Sequence, residues 1–87
     1  MPTKPQELTE AQKTERQINA MGDSVYVINK MIAEGKHTEQ THDNVDRNVR
    51  HLELMLGKSN IQDSGSDLTS FNTAITDGKA YIALPLD

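Results

Sequence analysis

The apolar positions fall into two long stripes, one short stripe and a terminal run. Ala11, Ile18, Met21, Val25, Ile28 and Ile32 recur with 3,4 spacing, broken only by Thr14. That period lines one face of an α-helix. Thr9-Glu10-Ala11-Gln12 has capping-box form, in which Thr9 accepts from the N3 amide and Gln12 reaches back. Gly35 is a natural C-terminal stop. Together they predict a helix over about 9–34. Gly22 inside it costs roughly 1 kcal/mol relative to alanine and marks a close helix crossing or a bend. Val25, Tyr26, Val27 and Ile28 are consecutive, so the buried stripe is expected to widen there.

The second stripe is Val45, Val49, Leu52 and Leu56, widened by Leu54 and Met55. Thr38 is its expected N-cap and Gly57 its expected C-cap, which predicts a helix over about 39–56. Asp43/Arg47 and Asp46/Arg50 are i,i+4 pairs with the acid first, the favourable orientation, and both fall off the stripe. A short link between two amphipathic helices favours an antiparallel hairpin. Residues 58–66 read as a polar loop. Ser66 or Asp67 then caps a short third helix over about 67–77, with Leu68, Phe71 and Ile75 inward and Gly78 ending it. The run from Ala80 to Leu86 is almost wholly apolar, and its length and Pro85 predict an extended segment. The expected fold is all-α in one small domain, residues 1–87. It has a flexible proline-bearing arm at 1–8 and an extended tail at 79–87.

Composition narrows this reading. Leu, Ile, Val and Phe make up 18 of 87 residues, and the aromatics are only Tyr26, Phe71 and Tyr81. A chain of this size buries one thin core, so completion by self-association or a partner is expected. The absence of cysteine excludes disulfides, thiol nucleophiles and zinc–thiolate sites. No apolar run approaches the roughly 20 residues of a membrane span, and the N-terminus lacks a signal-peptide core. The expected product is soluble and intracellular on synthesis. The net charge of −4 disfavours nucleic acid as a partner. Residues 59–87 hold Lys79 against Asp63, Asp67, Asp77 and Asp87, so the acidic excess lies beside the apolar tail.

Candidate chemistry is sparse. His37 and His42 are five residues apart, one more than the i,i+4 spacing of a metal pair on a helix face, and His37 precedes the second helix. A structural or solvated role fits them better than ligation. His42 extends the apolar stripe three residues before Val45, and His51 has no evident partner. Glu7/Glu10 and Asp43/Asp46 read as solvated carboxylates. Asp63, Gly65 and Asp67 hint at a calcium loop, but the bidentate acid it needs would fall on Ala74. No nucleophile elbow or phosphate-binding loop is present. The expectation is a non-enzymatic protein without cofactor or metal. Its partner-binding candidates are Val25 and Ile28 on the first helix, Val49, Leu52 and Leu56 on the second, and Tyr81, Ile82, Leu84 and Leu86 in the tail.

The stretch from Asp43 to Leu56 (DNVDRNVRHLELML) and that from Asp67 to Ile82 (DLTSFNTAITDGKAYI) resemble small proteins encoded by bacteriophages, some of them accessory virion components. The likeness covers about half the chain and includes no catalytic motif. It implies a small helical protein that binds a larger phage assembly, in the capsid or the tail, so a virion location and oligomeric packing are expected. The alternative reading is a small acidic binder that inhibits a host protein through charge complementarity.

Overall fold

The computed structural model describes residues 8–87, so the expected arm at 1–8 lies outside the described residues except for Leu8. Four helices follow in order: α1 (Glu10–Glu34), α2 (Glu39–Leu56), α3 (Ser59–Gln62) and α4 (Thr69–Ile82). The all-α expectation holds, and the first two helices match their signals closely. At the start of α1, Thr9 Oγ1 accepts from the Gln12 amide at 3.1 Å, and Gln12 Oε1 accepts from the Thr9 amide at 2.9 Å. Gly35 ends α1 in the left-handed region at φ 69°, a conformation that a side chain would strain. Thr38 and Thr41 cap α2 reciprocally, each hydroxyl accepting the other's amide. These caps satisfy amide groups that helix starts leave without partners.

Three helices pack pairwise. The short link 35–38 joins the end of α1 to the start of α2, and Ser24 of α1 meets His51 far along α2, so those two helices run antiparallel. Gly78 of α4 lies against Val45 and Val49, and Tyr81 meets Thr41, so α4 also runs antiparallel to α2. The shared core holds Met21, Ile28, Val45, Val49, Leu52, Ile61, Phe71, Ala74 and Tyr81. The fold is thus an up-down-up bundle closed at one end by the single turn of α3.

Several sequence expectations need correction. The segment read as a polar loop contains α3, which inserts a fully buried Ile61 beneath the bundle. The third long helix is neither 67–77 nor ended by Gly78. It continues to Ile82, and Gly78 is buried in its interior. A Cβ on Gly78 would stand 2.5 Å from Val49 Cγ2 and 3.3 Å from Val45 Cγ1. The missing side chain is what lets α4 approach α2. The tail is therefore shorter than 79–87. Ala80, Tyr81 and Ile82 are helical, and only residues 83–87 continue beyond the helix. Pro85 disfavours helical geometry at Leu84, which accounts for the stop.

The stripes are also narrower than expected. Tyr26 and Leu54 are 67% and 65% exposed, and Ala11 is exposed. Gly22 faces open space and marks no close crossing. Thr14, the polar interruption in the first stripe, accepts from Asn60 Nδ2 at 2.9 Å, and the same amide donates to Gln17 Oε1 at 2.7 Å. The break in the stripe is where α1 receives α3. Asp43–Arg47 and Asp46–Arg50 form as expected, at 2.8 and 2.9 Å on the surface, where each adds only tenths of a kcal/mol.

Candidate interaction site

The richest side-chain cluster lies where the α1–α2 connection, the C-terminal end of α4 and the tail converge. Gly35 turns the chain out of α1 and leads through Lys36 to His37, just before the Thr38 cap. Tyr81, on the buried face of α4, directs its phenol at this connection. Its hydroxyl donates to the Lys36 carbonyl oxygen, and Thr41 Oγ1 lies 2.9 Å from the phenol oxygen. The His37 ring stacks on Tyr81 with centroids 4.6 Å apart, and the His42 ring tilts against it at 4.8 Å. His37 Nδ1 and His42 Nε2 are 2.9 Å apart, so one donates and the other accepts. The buried tyrosine keeps its polar end satisfied within this group, as an interior phenol requires.

The tail returns to the same place. The Asp87 amide donates to the His37 carbonyl oxygen at 2.7 Å, and the His37 amide donates to Asp87 Oδ2 at 3.0 Å. These two reciprocal bonds fix residues 83–87 across the end of α4. Between them and the helices lies a cleft of about 380 Å³, lined by Ile32, His37, Asp77, Ala80, Tyr81 and Leu84. Its walls are mostly apolar, and Asp77 supplies a carboxylate.

The candidate partner-binding residues separate into two groups. Ile28, Val49, Leu52 and Tyr81 are buried in the chain's own core. Val25, Leu56 and Ile82 pack against that core and are partly covered. These seven hold the bundle together. Leu84 and Leu86, at 52% and 48% exposed, retain free apolar surface.

His37 precedes α2, as expected, and it and His42 take a structural role against Tyr81. Five residues do not place two histidines on one helix face, yet His37 and His42 meet, because His37 approaches from the connection and not from α2. His51 does have a partner: its Nδ1 lies 2.7 Å from the Oγ of buried Ser24, across 27 residues of sequence. No local pattern could signal that pair. Among the described residues, no three His, Cys, Asp or Glu side chains converge as a metal site. No described helix is long and apolar enough to cross a membrane. Away from the cluster, Asp67 Oδ1 accepts from the Thr69 amide at 2.9 Å. Hydrogen bonding from Thr69 holds the Asp67 carboxyl below its ordinary value. No family model matches the chain, and no curated protein or solved structure matches it.

Proposed function

We propose that the chain is a non-enzymatic structural protein that docks on a larger assembly through its C-terminal end, as an accessory component of a phage capsid or tail. The observation that carries this reading is the fixed tail. Leu84 and Leu86 are each about half exposed on a segment anchored by two hydrogen bonds, beside an apolar cleft. An apolar side chain held in place loses little freedom on association, which favours its use as an anchor. Further copies of the chain are a natural part of such an assembly.

The test uses particles of the phage that encodes the chain. Mass spectrometry of purified particles is expected to find the chain at fixed stoichiometry. Deleting residues 83–87 is expected to lower its incorporation at least several-fold. Circular dichroism of the same variant is expected to show full helicity, because α4 ends at Ile82. Absence of the full chain from the particles would overturn the virion assignment.

A further inference from the structure

We infer that the cleft between α4, the α1–α2 connection and the tail receives a partner segment that presents an apolar side chain beside a lysine or arginine. This rests on the reading of the chain as a docking protein and specifies the chemistry of its partner. Ile32, Ala80, Leu84 and the Tyr81–His37 stack supply the apolar contact. The charge around them is unbalanced. Lys79 is the single lysine or arginine of residues 59–87, and it pairs with Glu53 of α2 at 3.0 Å. Asp77 lines the cleft and has no ion pair among the described residues. Asp87 is engaged by the His37 backbone amide, a neutral donor, and has no ion pair among the described residues. Lys36 is the nearest cation along the connection, and its carbonyl oxygen, not its ammonium, meets Tyr81.

An apolar floor with carboxylates at its edge complements an apolar residue flanked by cations. A second copy that met this cleft with its own cleft would bring the same carboxylates, so like charges would face each other. The charge pattern therefore selects a basic partner over symmetric, cleft-to-cleft self-association.

The experiment is a titration of the ¹⁵N-labelled full chain, followed by amide chemical shifts. The probes are three capped peptides containing Lys-Leu-Phe-Lys, Glu-Leu-Phe-Glu or Lys-Gly-Gly-Lys. The first is expected to shift the amides of Asp77, Ala80, Tyr81 and Leu84 saturably, and the other two to bind at least tenfold more weakly. Asp77→Asn is expected to weaken the first peptide about threefold, the size of an exposed charge pair. High salt is expected to weaken it as well. Leu84→Ser should weaken it without changing the far-ultraviolet spectrum.

Equal binding of the Glu-Leu-Phe-Glu peptide, or shifts centred on Asp63 and Asp67, would overturn the inference. So would concentration-dependent shifts at the cleft without any peptide, which would assign it to a second copy. Failure here with continued loss of incorporation on deleting residues 83–87 would remove the basic partner and keep the docking role. Absence of the chain from particles with intact peptide binding would do the reverse.

Discussion

The two ends of the bundle are closed by different chemistry. At the α3 end, one helical turn drives Ile61 fully out of solvent, and Asn60 fastens that turn to Thr14 and Gln17 of α1. At the tail end, closure comes from ring stacking and hydrogen bonds to backbone groups, while Leu84 and Leu86 stay half exposed. Burial of an aliphatic side chain in a close-packed site tolerates little change. Hydrogen bonds at a half-open surface exchange with water at small net cost. The α3 end is thus a permanent part of the core. The tail end holds residues 83–87 in place but contributes less to holding the bundle together.

The sharpest challenge to this contrast is Ile61→Ala. Removing a fully buried aliphatic side chain is expected to cost about 2–5 kcal/mol, read from chemical denaturation. A loss below 1 kcal/mol would mean that α3 is no more essential than the tail. Between the two ends, Gly78→Ala is expected to destabilise by about 1–3 kcal/mol, since the new methyl must displace Val49. Helix propensity alone predicts the opposite sign, a gain of roughly 1 kcal/mol. A stabilised variant would therefore show that α4 does not approach α2 as closely as described. At the tail end, Tyr81→Phe keeps the stacking ring and removes only the hydroxyl. A loss of about 1 kcal/mol is expected, with His37 and His42 ring resonances shifting in NMR spectra.

The smallest effect concerns Asp67 at the start of α4. Its folded carboxyl is held below the ordinary value, so its stabilising contribution is complete above the ordinary carboxylate range. That contribution is lost as pH falls through the lowered folded value. The gap in melting temperature between the native chain and Asp67→Ala should therefore be present at neutral pH and close in acid. A gap that widens on acidification would contradict the Thr69 contact.

The sequence made the caps and the helical period legible, and these are local signals. Thr9, Thr38 and Gly35 are used as their positions announce. Gly78 misled because a glycine at a close helix approach and one at a helix end look alike in sequence; the difference is Val49, 29 residues away. Tyr26 and Leu54 misled because adjacency to a stripe does not place a side chain on it. A turn as short as α3 has too few residues to show a period. The contact between His37 and His42 depends on the path of the connection, and that between Ser24 and His51 on the alignment of α1 with α2. Leu84 and Leu86 were recognisable as apolar and terminal, but not as anchored, because Asp87 and His37 meet only in three dimensions.

The close approach at Gly78 has a consequence for hydrogen exchange. Its turn lies against Ile28 of α1 and Val45 and Val49 of α2, so exposing its amide requires α4 to come away from both helices. That amide should exchange only through an opening large enough to detach α4 and so report how firmly α4 is held in the bundle. The Asp87 amide, tied only to the His37 carbonyl oxygen, should exchange through a much smaller local opening. The difference between the two exchange free energies measures how much of the protein survives when the tail lets go.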